Sequence, residues 1–171
     1  MPPAWLRPVL WLSSTRSGGW FFANVWPVVD RSLLRLSGGR FSISGLAIPT
    51  LLLTTRGRRS GALRETPLLY IPAAGDPGKD DAHQPLIVAG SRGGGSRHAG
   101  WYYNLTAHPA AQVTIAGRQR VHMARVLDGA ERAQQWQRLC AVHPGFERYE
   151  ARVSREIPVI RLDPADADIV V

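Results

Sequence analysis

The sequence predicts a mainly β fold of the α+β class: a small antiparallel barrel with helices on its periphery. Two observations carry this. Six short apolar or alternating stretches lie between Thr50 and Leu162, separated by turn-forming residues. The 17 glycines and 13 prolines are spread along the chain, which suits short strands and tight turns better than a helical bundle. A length of 171 residues gives one domain with room for one core, and 44% hydrophobic against 20% charged residues marks it as globular.

In chain order, Trp20 to Leu36 reads as a helix with Phe22, Trp26, Val29, Leu33 and Leu36 near one face, Pro27 kinking it or marking its first turn. Thr50 to Thr55 reads as a buried strand and Arg64 to Pro72 as its partner, joined by the basic turn Arg56-Gly57-Arg58-Arg59-Ser60-Gly61. Ala73 to Gln84, rich in Gly, Asp and Pro, is an exposed loop. A short strand, Leu86 to Ala89, precedes a glycine-rich stretch, and a helix from Ala99 to Ala107 stops before Pro109. Ala111, Val113 and Ile115 alternate with polar residues; Ala116-Gly117 then turns into a strand from Arg118 to Leu127. Asp128 and Glu131 form a capping box for a helix that buries Ala133, Trp136, Leu139 and Cys140. Helical turns over Gly145 to Arg152 and a last strand, Ile157 to Leu162, complete the barrel.

The composition excludes several chemistries. Cys140 is the only cysteine, so there is no internal disulfide and no thiolate cage. His83, His98, His108, His122 and His143 show no metal-ligand spacing, so no metal site is expected. No run of about 18 apolar residues exists to span a bilayer. Met1 to Leu12 lacks a continuous apolar stretch with a cleavage site, so a cytoplasmic location is expected. The net charge of +8 fits a polyanionic partner: nucleic acid, an anionic membrane or a phosphorylated cofactor. Four of six tryptophans fall within the first 26 residues, so residues 1–36 read as packing on the barrel or lying in a membrane interface on the inner face of the cell membrane.

Four constellations can carry chemistry. Arg56, Arg58, Arg59 and Arg64 fall within nine residues, where forked guanidinium donors and glycine-flanked backbone suit a phosphate or carboxylate. Clustering on one turn argues against a nucleic-acid groove, and no P-loop pattern is present. Ala89-Gly90-Ser91-Arg92-Gly93-Gly94-Gly95 offers low side-chain bulk against which a flat ring or phosphate can press. A hydrolase reading with Ser91, His143 and Asp163 is disfavoured by their chain order and the missing βαβ pattern. Trp101-Tyr102-Tyr103-Asn104 places aromatics where they wall a planar ligand or fill the core. His143, Phe146 and Tyr149 recur every three residues on one helical face.

Together and in this order, Leu51 to Gly61, Arg64-Glu65-Thr66-Pro67-Leu68, Ser91-Arg92-Gly93-Gly94, Trp101-Tyr102-Tyr103-Asn104 and Arg155-Glu156-Ile157-Pro158 resemble the deazaflavin-dependent nitroreductase family of actinobacteria. The resemblance runs from about Leu33 to Pro164. It implies a split β-barrel of the flavin-reductase and pyridoxamine-oxidase type that binds coenzyme F-420. It also implies that Arg58, Arg59, Ser60, Gly61 and Arg64 hold the phosphate and oligoglutamate tail. Pro67, Ala89, Ser91, Arg92 and Gly93 match the wall around the ring and its linker, and Trp101 and Asn104 the helix that closes over the cofactor. Trp101, His143, Phe146 and Tyr149 match the acceptor pocket, where the nitroreductase prototype has tyrosines at the places of His143, Phe146 and Leu69. The implied function is hydride transfer from reduced F-420 to a hydrophobic acceptor, above all a quinone, with nitro compounds as a side activity. Ser91, His143 or Tyr149 would orient the acceptor or relay a proton. The rival readings are an FMN-dependent split-barrel oxidoreductase and a non-catalytic anion- or membrane-binding module.

Overall fold

The computed structural model describes residues 49–75 and 83–165. The expected helix from Trp20 to Leu36 lies outside them. Six strands close an antiparallel barrel: β1 (Thr50–Arg56), β2 (Leu63–Pro72), β3 (Leu86–Ala89), β4 (Ala110–Ile115), β5 (Arg118–Val126) and β6 (Val159–Pro164), in the order β1-β2-β3-β6-β5-β4. Among the described residues, three α-helices accompany them: α1 (Gly100–Ala107), α2 (Gly129–Val142) and α3 (Gly145–Glu150).

Period-2 alternation sends side chains to two different cores. Leu51 and Leu53 of β1, Leu86 and Val88 of β3, Val113 of β4, and Ile160 and Leu162 of β6 fill the barrel, and Trp101 and Leu105 of α1 plug one end of it. Ile71, Ile87 and Val159 point outward and are covered by Trp136, Leu139 and Cys140 of α2 and Phe146 of α3. Ile87 and Leu139 are fully buried, each contributing about 1.5–3 kcal/mol on removal from water. So β3 is buried on both faces, and the one core expected from chain length is two.

Three local expectations are corrected. Asp128 is the N-cap of α2 but its side chain makes no capping bond. The Glu131 carboxylate instead accepts two hydrogen bonds from Arg125 at 3.0 Å, a charge-assisted pairing that outcompetes the capping box. Ala133 is exposed and Gln135 is buried in its stead, because the buried arc of α2 is centred between Trp136 and Leu139. Gln135 tolerates burial by donating from Nε2 to the Ala73 carbonyl at 3.0 Å. The last strand begins two residues later than expected: fully buried Ile157 precedes it, and the Pro158 carbonyl accepts from Gly90 N–H at 2.8 Å before the β3–β6 ladder starts. The loop after β2 leaves Ala74 and Gly75 exposed as expected, while its first carbonyl, Ala73, is held by Gln135 and Arg138.

Strand direction positions the site. β1 is antiparallel to β2 and β2 to β3, so β1 and β3 run the same way and finish at the same end of the barrel. The basic turn follows β1 and the glycine-rich stretch follows β3. Two constellations 30 residues apart in sequence therefore flank the same barrel end, the one that α1 plugs.

Candidate active site at one end of the barrel

The turn after β1 is shaped by its glycines. Gly57 N–H donates to the Ala62 carbonyl at 2.9 Å, and Gly61 N–H to the Gly57 carbonyl at 2.7 Å, with Gly61 at φ +68°. A Cβ on Gly57 would lie 2.8 Å from Ser60 Oγ and 3.0 Å from the Ala62 carbonyl oxygen. The turn is fixed to α1 by a buried amide: Asn104 Nδ2 donates to Thr55 Oγ1 at 3.0 Å, and its Oδ1 accepts from Arg58 N–H at 3.2 Å. Arg58 stacks its guanidinium over the Tyr103 ring at 4.7 Å. Arg58, Arg59 and Arg64 are exposed, and none has an ion pair with a carboxylate among the described residues.

The glycine-rich loop is the second half of the site. Ser91 is right-handed (φ −68°, ψ −34°), and the chain then turns left-handed at Arg92 (φ 50°), Gly93 (φ 63°) and Gly94 (φ 79°). A right-to-left step of this kind gathers successive N–H groups into an anion-binding concavity. Among the described residues, the amides of Ser91, Arg92 and Gly93 have no backbone acceptor. The next two amides close the turn, Gly94 to the Ser91 carbonyl at 3.1 Å and Gly95 to the Arg92 carbonyl at 3.2 Å. Gly90 must be glycine because a Cβ would sit 2.8 Å from Pro158 Cγ.

α3 borders this loop. A Cβ on Gly94 would lie 3.3 Å from Tyr149 Cα, so loop and helix are in close contact. The rings of His143, Phe146 and Tyr149 form one cluster: His143 to Phe146 at 5.2 Å edge-on, Phe146 to Tyr149 at 6.1 Å, and His143 to Tyr149 at 6.2 Å. Burial, and then Arg148, push the His143 imidazole below its ordinary range, so it is a neutral ring that donates from one nitrogen and accepts at the other.

With this geometry in hand, comparison with known proteins is specific. A family model described as F420H(2)-dependent quinone reductase matches residues 29–164. The chain belongs to the F420H(2)-dependent quinone reductase family. F420H(2)-dependent quinone reductase Rv1261c of Mycobacterium tuberculosis (strain ATCC 25618 / H37Rv) is 33% identical over 119 residues, covering 68% of this chain and 74% of that one. Rv3178 of the same organism is 34% identical over 117 residues, 68% of this chain and 91% of its own length. Among solved structures, the chain described as F420-H2 Dependent Reductase (FDR-A) aligns with a TM-score of 0.57 at 28% identity, covering 67% of this chain and 94% of that chain. The fold is thus the split β-barrel, the activity is that of an F-420-dependent oxidoreductase, and the hydride donor is reduced F-420.

The residues present fit such a cofactor. An anionic tail needs cations with no carboxylate partner, and Arg58, Arg59 and Arg64 have none among the described residues. A flat ring needs bare backbone donors, which Ser91 to Gly93 offer with no backbone acceptor among the described residues. Other family-matched residues take less direct places. Trp101 is buried in the barrel core, and the Asn104 amide is engaged at both ends within the protein, so both hold α1 and the basic turn. Pro67 pairs with Leu52 on the β1–β2 ladder, and Ala89 ends β3 directly before the loop. Phe146 is only 5% exposed and lies 5.7 Å from Trp136, beneath half-buried His143 and Tyr149. Arg155, to which sequence reasoning gave no role, reaches across the glycine-rich loop; the Arg155-Glu156-Ile157-Pro158 motif was the only signal for it.

Proposed function

We propose that this barrel end holds reduced F-420 with its tail on Arg58, Arg59 and Arg64 and its ring against Ser91 to Gly94, and that the acceptor is a quinone approaching beside α3. The carrying observation is that the un-neutralised arginines and the amide concavity flank the same end of the barrel. When bound, reduced F-420 supplies a hydride from the ring carbon that replaces a flavin nitrogen. The protein's part is position, charge and exclusion of water. The arginines bind the tail by forked, charge-assisted hydrogen bonds. The amides of Ser91, Arg92 and Gly93 offer three donors toward an electronegative ring edge, and Ser91 Oγ has no hydrogen-bond partner among the described residues, so it can orient an acceptor. Tyr149 or neutral His143 donates a hydrogen bond to a quinone carbonyl, and Phe146 supports both rings from behind.

Titrating the protein separately with F-420 and FMN tests this reading. F-420 binds more tightly, and its affinity falls as salt rises, because the contacts at the turn are exposed and screened. Equal affinity for the two cofactors would sink the tail assignment. Phe146 lies beneath His143 and Tyr149, so acceptor choice rests on those two rings, and quinones are expected to be reduced faster than nitroimidazoles. Residues 1–36, with Trp5, Trp11, Trp20 and Trp26, are read as a bilayer-interface segment serving a lipid-soluble quinone. Co-sedimentation with anionic liposomes by the full chain, but not by one starting near Ser37, is the expected result. Among the described residues no helix is long and apolar enough to cross a membrane.

A further inference from the structure

The segment between α3 and β6 carries Arg155, whose guanidinium has five N–H donors and makes contacts with every nitrogen. Nε donates to the Gly95 carbonyl at 3.2 Å, and one terminal nitrogen to the Ser91, Gly95 and Gly90 carbonyls at 3.0, 3.1 and 3.5 Å. The other meets His98 Nδ1 at 3.1 Å and the Glu156 carbonyl at 3.3 Å. The first group of acceptors belongs to the two ends of the glycine-rich loop, so one planar group spans its neck. The neighbouring carboxylate, Glu156, is turned away to Arg132 at 3.1 Å, and among the described residues no carboxylate pairs with Arg155.

We propose that Arg155 is a positioning residue of the hydride-transfer site: by closing the neck of the loop it holds the amides of Ser91, Arg92 and Gly93 in their convergent arrangement. The role in hydride transfer rests on the reading that this loop faces the F-420 ring. The mechanical argument is independent of it. Arg92 occupies a left-handed conformation that an L-residue with a side chain leaves unless its surroundings enforce it. Arg155 enforces it by drawing the loop carbonyls to one side, which leaves the first three amides facing the other. Pro158, three residues on, fixes Gly90 by accepting its N–H and by filling the space a Cβ would need. Through His98, two residues before α1, the same guanidinium is tied to that helix, the His98 ring lying 4.9 Å from that of Tyr102. Lysine cannot substitute. Its single compact ammonium lacks the planar fork that reaches both ends of the neck at once.

The test uses the full chain with Arg155→Gln and, as the charge-keeping variant in case the first folds poorly, Arg155→Lys. Hydrogen exchange at Gly94 and Gly95, whose amides close the turn, is measured without cofactor, alongside F-420 affinity and the separate kcat and KM for menadione reduction. We expect exchange at these two amides to accelerate at least about tenfold in both variants while the barrel strands stay protected. F-420 binding weakens about tenfold in both, and in a third variant, Arg155→Ala, millimolar guanidinium restores part of it. Unchanged exchange at Gly94 and Gly95 in both variants overturns the staple itself. Faster exchange with unchanged F-420 binding and turnover overturns the placement of the ring at this loop, and with it the role in hydride transfer.

Discussion

The basic turn after β1 and the glycine-rich loop after β3 flank the same barrel end, and they are held by opposite means. The turn is organised locally: Gly57, Gly61 and Ala62 close it by their own backbone, and among the described residues Asn104 and the Tyr103 ring of α1 reach in from elsewhere. Its working side chains are exposed and, among the described residues, unpaired with any carboxylate. The loop has almost no working side chains, and its shape is imposed from some 60 residues away by Arg155 and Pro158. Binding charge therefore sits where it can be removed without touching the fold, whereas ring-facing backbone sits where any change is structural.

The largest effect that sharpens this contrast is removal of charge from the turn. The double change Arg59→Ala with Arg64→Ala deletes two charge-assisted contacts of about 1.5–3 kcal/mol each, so F-420 affinity falls at least about a hundredfold. Thermal stability stays within about a degree, since both side chains are exposed and neither is paired with a carboxylate among the described residues. A double variant that binds F-420 normally would move the tail elsewhere. At the loop, Gly94→Ala places a side chain at φ +79° and 3.3 Å from the Tyr149 backbone, a strain of about 1–2 kcal/mol. It should slow hydride transfer about tenfold and lower the melting temperature at once, the coupled signature that the turn variants lack. Wild-type rates at unchanged stability would show that loop and α3 are not in contact.

This difference also explains what was legible in the sequence. The strands were readable because period-2 burial and turn residues are local signals, and the basic turn because charge density is local too. Asn104 was readable as a member of the site but not as a clamp, since Thr55 and Arg58 lie 49 and 46 residues away. Arg155 was legible only as part of a family-like motif, with nothing local to give it a role. Its five donors have meaning only once β3 and β6 are side by side. The failed capping box at Asp128 is the same lesson in reverse: a good local motif lost Glu131 to Arg125, a partner on the neighbouring strand. Gln135 is buried where Ala133 was expected to be, and its amide reaches the Ala73 carbonyl just past β2, a partner 62 residues away that no local pattern shows.

Asn104→Leu tests whether the clamp joins the two halves. It leaves Arg58 N–H and Thr55 Oγ1 without their partner, costing about 1–3 kcal/mol of stability, and the displaced turn should bind F-420 about fivefold more weakly. Stability lost without any change in F-420 affinity would confine Asn104 to the fold.

A pH response follows from the histidines with depressed pKa values. His122 is fully buried, and burial, opposed by weaker backbone hydrogen bonds at Arg120 and Gln84 and by Asp163, holds its pKa below the ordinary 6.5. His143 is lowered as well. For a depressed histidine the unfolded chain takes up the proton first, so stability is complete above about pH 6.5 and declines as pH falls through the folded-state value. The melting temperature should drop between about pH 7.5 and about pH 5, and His122→Gln should flatten the drop. An equal slope in His122→Gln and the parent would assign it to other groups.

The smallest expected effect concerns the acceptor. Tyr149 is half-buried, its backbone lies against Gly94, and its ring borders His143 and Phe146. Tyr149→Phe keeps those apolar contacts and removes one hydroxyl. If that hydroxyl donates to a quinone carbonyl, the loss is that of one ordinary hydrogen bond, about 0.5–1.5 kcal/mol, or roughly two- to tenfold in kcat/KM. Phe146→Tyr probes the ring beneath: adding a hydroxyl to a side chain 5% exposed against Trp136 should lower stability more than it changes acceptor choice. Any gain with nitro compounds would then require the new hydroxyl to reach past His143. Because F-420 binds through the turn and the loop, Tyr149→Phe should leave F-420 affinity untouched while slowing menadione reduction. A fall in F-420 affinity instead would place Tyr149 on the cofactor, and unchanged rates with every acceptor would remove α3 from the pocket.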